Sequence, residues 1–598
     1  MGRWSEIPHR VPRRWPLVSG MPYSMPRLLA VTMLIALGCG TDQPSQPEGA
    51  APDSLSMDSV PTGPAPSFSW GSATPESQGM CGSTIELGCT TTLDQIWSAI
   101  SDPRHNTRRF VIIRNDKVIY DRGGSEPYFS YSASKGLLGA PTLVYAMSKC
   151  GVGLRDQAGR WLGHGEAGRW NTESPWKDIT VEHLATHTSG TCDYGNPSAV
   201  CGDQHPDWQR VFDLANGGGD EHVYPADAFT IARVQSEQNA EPAAPPGTIY
   251  EYSNVGHTLL NYVVQRACRQ SLADIFDQHI KQPGMRSPIR PALIHTDEGQ
   301  QFNQSAGTAM WNALDGAAVL RLAGRLGIWD NRNVEPVRYW RELTKVEGNI
   351  PAAAASSRGV IYENNVNDFW TGTPGNQRLS PETFSHSGNY STLFLNDPLT
   401  GTILVRQGEN NARGASYLTT NGCEPGWTGM APDCKEGTDW SNNWDVAAGQ
   451  LGASRVGLRR MVVDPVQQAF FFPPPFCRMT SVAGKTVDHL TDTYAGTLGA
   501  ETIELTAEIT VDPREGAGSS AADRVEFYKE GDATGPTHIG DGTVVPGTNP
   551  SQYRLSYTAE SHGAAGEAKT YFANCVARSA QDPARQVSSF SRPVRIRR

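Results

Sequence analysis

The sequence predicts an α+β protein followed by an all-β region. β-rich runs with a turn between them occur early, in "RRFVIIRNDKVIYDRGG", and late, in "YSTLFLND" and "TGTILVRQG" at 390–408. Between them, apolar residues recur at three- and four-residue steps in "LLGAPTLVYAMSK", "HTLLNYVVQRACRQSLADIFDQHI" and "ALDGAAVLRLAGRLG", the period of amphipathic helices. From about 478 onward the pattern changes to short strands of alternating polarity with frequent turns. Strands at both ends of a helical interval imply one sheet built from both ends of the domain.

The first 39 residues read as an export signal. Arg10, Arg13, Arg14 and Arg27 precede "LLAVTMLIALG" (28–38), an apolar run too short to span a bilayer of ~30 Å at ~1.5 Å per residue. The run stops at Cys39. "IALGC" resembles the lipobox of bacterial lipoproteins, with Ala36 where leucine is usual, and the resemblance implies lipid modification of Cys39. An ordinary cleaved signal is the alternative, and Met21 or Met25 is an alternative start. Residues 40–69 are rich in Pro, Ser, Asp and Gly with almost nothing to bury, which describes a flexible tether.

Folded sequence is expected over 70–475 and again over 478–598. Phe110–Ile113 and Val118–Tyr120 flank the turn formers Asn115 and Asp116, a hairpin signature. Pro141 should kink the first helix or shift its start. The all-β region suggests a β-sandwich and resembles the immunoglobulin-like modules appended to bacterial surface enzymes. That resemblance implies adhesion, spacing or stability, with a cell surface or polysaccharide as its contact.

A chain of 598 residues needs two or more domains. Its formal charge of −11 leaves no basic footprint for nucleic acid. Eleven cysteines less Cys39 leave an even ten, as an oxidising compartment favours. Cys81 with Cys89, Cys192 with Cys201, and Cys423 with Cys434 would each close a short loop. The pairing of Cys150, Cys268, Cys477 and Cys575 is not fixed by sequence. Keeping each bond within or beside one domain favours Cys150–Cys268 and Cys477–Cys575. A zinc site at His183 and His187 is disfavoured, because "HLATH" lacks the glutamate of H-E-x-x-H and no C-x-x-C pair exists. No cofactor is expected.

Serine needs a base beside it to act as a nucleophile at neutral pH. In "YSASKG", Ser132 and Lys135 fall three apart, on one helical face, and begin an apolar run that would bury the lysine. Desolvation favours the neutral amine that can take a proton. A second S-x-x-K, Ser174–Lys177, contains Pro175, has polar neighbours and leads into no apolar helix. Downstream, "PGTIYEYSNVGHTLL" places Tyr252 and Asn254 before an amphipathic helix. The tyrosine could relay a proton, and the asparagine amide could hold both Lys135 and a substrate carbonyl. "FSHSGNYSTLF" offers His386 and Gly388 at a strand start, with the N–H of Asn389 and that of Ser132 as an oxyanion hole. Y-x-N recurs at Tyr194–Asn196 and Tyr362–Asn364, and H-x-G at His538–Gly540, so the flanks must discriminate.

The order S-x-x-K, Y-x-N, H-x-G resembles the serine β-lactamase-like hydrolases: class C β-lactamases, D-Ala-D-Ala carboxypeptidases and penicillin-binding proteins, and their esterase relatives. "WGSATPESQGM", "ITVEHLATHTSG" and "SAGTAMWNALDGA" look like the same family, which together covers roughly 70–470. The resemblance implies an antiparallel sheet flanked by helices, with a helical subdomain. It further implies Ser132 as acylated nucleophile, Lys135 as base, Tyr252 as proton relay, and Asn254, His386, Gly388 and Asn389 as substrate-binding. The third motif departs from the usual K-T-G and lacks its permanent cation. That tilts the expectation from β-lactams and D-Ala-D-Ala towards an ester or other amide substrate, small-molecule or peptide. The rival of another class is a non-catalytic surface-binding protein.

Overall fold

The computed structural model describes most residues between Phe68 and Arg597. Residues 1–67, 193–233, 345–360, 363–378 and 409–461, with shorter stretches elsewhere, lie outside the description. The expectations for Cys39, the tether as far as residue 67, Cys201, Cys423, Cys434, Asn389 and Tyr194–Asn196 fall there. The end of the expected tether is folded, since the Phe68 ring packs on Trp70 and Trp329 and the Phe68 N–H donates to Pro283 O at 3.2 Å.

The central sheet is assembled from both ends of its domain, as the sequence implies. Its strands are β1 (Gly71–Ser72), β2 (Thr107–Arg114), β3 (Lys117–Gly123), β4 (Phe384–Gly388), β5 (Thr392–Asp397) and β6 (Thr402–Gly408). They lie in the order β1-β3-β2-β6-β5-β4. All neighbours are antiparallel except the short edge strand β1, which runs parallel to β3. Asn115 and Asp116 join β2 to β3 with φ of 48° and 61°, left-handed values that match the twist of a two-residue hairpin and that Asn and Asp tolerate best.

Alternation along the strands feeds two cores. Val111, Ile113, Phe394, Ile403 and Val405 face the helical side, while Phe110, Ile112, Leu393, Leu395 and Leu404 face the other. The helical side holds α2 (Ala140–Lys149), α3 (Val181–Ala185), α4 (Asn254–Cys268) and α5 (Ala313–Gly324). The other face is covered by α1 (Leu93–Ile100), the segment Val462–Phe472, and Ala577 and Val587 of the C-terminal region. Pro141 sits in the first turn of α2, where its missing N–H costs nothing. The helical run is thereby split: a wider turn, Lys135–Gly139, precedes the regular helix.

The C-terminal region forms two mostly antiparallel sheets, one centred on Phe476–Val482 and Thr502–Thr510, the other on Ser520–Lys529 and Ala568–Ser579. They share a core that includes Met479, Ile509, Val525, Phe527 and Ala573. Cys477–Cys575 ties the two sheets together; Cys150–Cys268 ties the end of α2 to the end of α4, and Cys81–Cys89 closes a short loop. Cys192 is also disulfide-bonded.

The C-terminal sheets are docked directly on the central sheet. Asn115 Nδ2 donates to Ser588 O at 3.1 Å, and the Phe590 N–H donates to Asn115 Oδ1 at 2.9 Å. The buried Arg114 reaches Ser588 O at 2.6 Å. Arg325 pairs with Glu530, and Arg592 with Glu382.

Candidate active site

Ser132 lies on a tight turn, Tyr131–Ala133, between a short strand and the wide turn leading into α2. Tyr131 takes a φ of 47°, uncommon for an aromatic residue and a kind of strain that concentrates at functional sites. Gly388 lies hard against this turn. A Cβ added to it would stand 2.6 Å from Ser130 O and 3.1 Å from Ala133 N. A glycine lets another chain segment come close, and here the segment is the protein's own serine turn.

Lys135 is fully buried. Its Nζ is 3.2 Å from Ser132 Oγ, 2.6 Å from Tyr252 OH, 2.7 Å from Asn254 Oδ1 and 2.7 Å from Ala306 O. Tyr252 OH in turn donates to Ser132 Oγ at 2.6 Å. Residues 117 and more apart in sequence thus close a ring of contacts. Tyr252 owes its place to the loop before α4, whose N-cap residue, Ser253, accepts the Gly256 N–H on its hydroxyl.

His386, on β4, is 2% exposed, and its Nδ1 lies 2.9 Å from Ser387 O. It lines the wall behind Lys135: a Cβ on Gly136 would meet His386 Cβ at 2.9 Å and Tyr362 at 3.0 Å. Tyr362, which begins one of the recurring Y-x-N matches, donates from its hydroxyl to Gly136 O at 2.8 Å. His257 is buried one turn into α4, with Nε2 2.8 Å from Ser305 Oγ. Burial, and then the charge of Lys135, push its pKa well below the usual histidine value.

The competing S-x-x-K and H-x-G matches lie elsewhere. Ser174 is exposed, and His538 is half-exposed and pairs with Asp541 at 3.0 Å. Sequence reasoning missed Ala306, Ser305 and His257, and weighed His187 only as a disfavoured zinc ligand. Ala306, Ser305 and His187 stand in stretches whose flanks resemble the family, so the signal was present but carried no role. Among the described residues no group of three or more His, Cys, Asp or Glu is placed to hold a metal, and no helix is long and apolar enough to cross a membrane.

Residues 109–415 match the family model described as beta-lactamase. The chain belongs to the beta-lactamase family and is a serine hydrolase of that family. No curated protein sequence matches it. Similar solved structures include a Bacillus anthracis protein assigned provisionally as a 6-aminohexanoate-dimer hydrolase, at 18% identity and TM-score 0.40, covering 56% of this chain and 83% of that one. A D-stereospecific amidohydrolase from Streptomyces sp. has 18% identity and TM-score 0.35, covering 53% and 92%. An octameric penicillin-binding protein homologue from Pyrococcus abyssi has 14% identity and TM-score 0.39, covering 84% and 99%.

Proposed function

We propose that the protein hydrolyses an ester or amide through an acyl-enzyme on Ser132. The observation that carries this reading is the single position of Tyr252 OH, 2.6 Å from both Ser132 Oγ and Lys135 Nζ. Four oxygens surround a nitrogen that holds at most three hydrogens. As a neutral amine, Lys135 can accept from a hydroxyl while it donates to Asn254 and Ala306. Ser132 Oγ then bonds to the substrate carbonyl carbon as its proton passes to Lys135, directly or through Tyr252. Tyr252 returns the proton to the leaving group as that bond breaks, and water repeats the sequence to free the acid. The N–H groups of Ser132 and Asn389 are the proposed oxyanion donors.

An ester, or an amide without a carboxylate beside the reacting bond, suits the third motif better than a β-lactam or D-Ala-D-Ala. His386 is buried and its Nδ1 is engaged with its own neighbour's carbonyl, which is poor presentation for docking a carboxylate. Export fits the disulfides. We further propose lipid attachment at Cys39, a tether from 40 that ends before Phe68, a hydrolase domain that runs to 475 and an immunoglobulin-like sandwich over 478–598 that meets a surface or polysaccharide.

The test is covalent labelling of the full chain by a fluorophosphonate probe, with turnover of p-nitrophenyl esters, nitrocefin and a D-Ala-D-Ala peptide measured in parallel. Labelling lost in Ser132→Ala, with ester turnover well above nitrocefin turnover, is expected. Unchanged labelling sinks the nucleophile, and nitrocefin turnover equal to ester turnover sinks the substrate reading.

A further inference from the structure

His187 follows α3 and takes a left-handed φ of 57°. That conformation turns its carbonyl and its ring towards the loop that carries Tyr252. The carbonyl accepts the Glu251 N–H at 2.8 Å, and Nδ1 accepts the Ser253 N–H at 3.2 Å. Both residues that flank Tyr252 are therefore held by one residue. The imidazole also lies against the phenol, with ring centroids 4.7 Å apart at 34°. His187 is 7% exposed.

We propose that His187 is a positioning residue that holds Tyr252 against Ser132, and that only its neutral form does so. The inference rests on the Ser132–Lys135–Tyr252 reading above. A nitrogen that accepts an N–H carries no proton, so the neutral ring holds its hydrogen on Nε2. Protonation puts a hydrogen on Nδ1, facing the Ser253 N–H, and the bond becomes a repulsion between two donors. Tyr250 and Tyr252 face the ring from the loop, and His257 faces it from α4 with centroids 6.3 Å apart. Lys135 stands behind Tyr252, with His386 beyond it, and Glu182 and His183 lie on α3. Release of the Ser253 clamp lets the Tyr252 hydroxyl leave Ser132 Oγ, and the proton path to the nucleophile opens.

Asn and Phe separate this role from simple packing. The Oδ1 of an Asn at 187 can take the place of Nδ1 as acceptor, does not titrate, and Asn tolerates left-handed backbone. Phe keeps the ring but has no acceptor. The experiment follows inactivation of the full-length protein by a fluorophosphonate probe between pH 5 and 9, for wild type, His187→Asn, His187→Phe and Ser132→Ala. In the step read out, Ser132 Oγ bonds to phosphorus, fluoride leaves and the serine proton is taken by Lys135.

Expected at pH 8 is a fall in kinact of roughly 10- to 100-fold for His187→Phe, within the range for lost proton-transfer geometry, with KI within about twofold and most of the loss recovered by His187→Asn. Wild-type kinact falls below about pH 6.5, the ordinary range of histidine, and in His187→Asn this acid limb moves to lower pH. Two results overturn the proposal: Asn no better than Phe at pH 8, or an acid limb unshifted in His187→Asn. If melting curves show the Phe variant unfolded, the limb of the Asn variant decides alone. Labelling that persists in Ser132→Ala overturns the underlying nucleophile and the inference with it. Labelling lost there with an unshifted limb overturns the inference only.

Discussion

Lys135 Nζ and Tyr252 OH stand 2.6 Å apart at the base of Ser132, the lysine wholly buried and the tyrosine partly open to solvent. A buried amine ringed by polar oxygens is costly to fold around, because removing a charge-bearing group from water is repaid only by good geometry. Lys135→Met is therefore expected to lower ester turnover by about 10³-fold or more while the melting temperature holds or rises. Tyr252→Phe is expected to lose about 10²-fold or more with little change in stability. A Lys135→Met protein of near-normal activity, measured by p-nitrophenyl ester hydrolysis beside calorimetry, contradicts this account.

The docking of the C-terminal sheets on the hairpin turn gives a stability prediction. Asn115 exchanges hydrogen bonds with Ser588 and Phe590, and the buried Arg114 beneath it also ends on Ser588 O. Asn115→Ala leaves partners unsatisfied on both sides and is expected to cost about 1–3 kcal/mol. Because Val587 and Ala577 belong to the core under the central sheet, the loss should appear in the unfolding of the catalytic region. Urea titration followed by activity and by fluorescence tests this. Catalytic-region unfolding insensitive to Asn115→Ala would show the two regions to be energetically separate.

The pH dependence of stability has a defined sign at His257. Burial first, then Lys135, depress its folded pKa well below 6.5. The unfolded chain binds a proton near pH 6.5 while the folded chain does not, so stability is complete above that pH and declines as pH falls below it. The slope contributed is at most about 1.4 kcal/mol per pH unit. His257→Gln, which keeps a polar atom towards Ser305, is expected to flatten the fall in melting temperature between pH 6.5 and 5. An equally steep fall in that variant rules out His257 as its source.

Much of the fold was legible because the relevant residues repeat with a period. Val111 and Ile113 alternate with Phe110 and Ile112 between two cores, and that alternation is written in "RRFVIIR". The turn formers Asn115 and Asp116 announce the hairpin through their tolerance of positive φ. Ser132, Lys135, Tyr252 and Asn254 were legible as motifs because side-chain chemistry limits which residues can serve. Ala306 was not, since it contributes a backbone carbonyl that any residue supplies. His187 and Tyr362 act through a backbone clamp and a wall contact whose partners lie 66 and 226 residues away, and no local spacing encodes such pairs. Gly388 was legible as a place of close approach, but a glycine does not say what approaches.

That approach supplies a last prediction. With an added methyl group, Gly388→Ala would put Cβ 2.6 Å from the carbonyl oxygen of Ser130 and 3.0 Å from Tyr131 Cβ. The neighbours are main chain or tied to it, so they cannot rotate away, and β4 is held by five paired positions on β5. The weaker side is the Ser132 turn, already strained at Tyr131. Its displacement moves Ser132 Oγ relative to Lys135 and Tyr252, and a shift of about 1 Å in a reacting group costs roughly 10²-fold. Gly388→Ala should slow fluorophosphonate labelling by about that factor while the chain stays folded, because the buried cores are untouched. Full-rate labelling of a folded Gly388→Ala protein would mean that the turn accommodates the methyl group without moving the nucleophile.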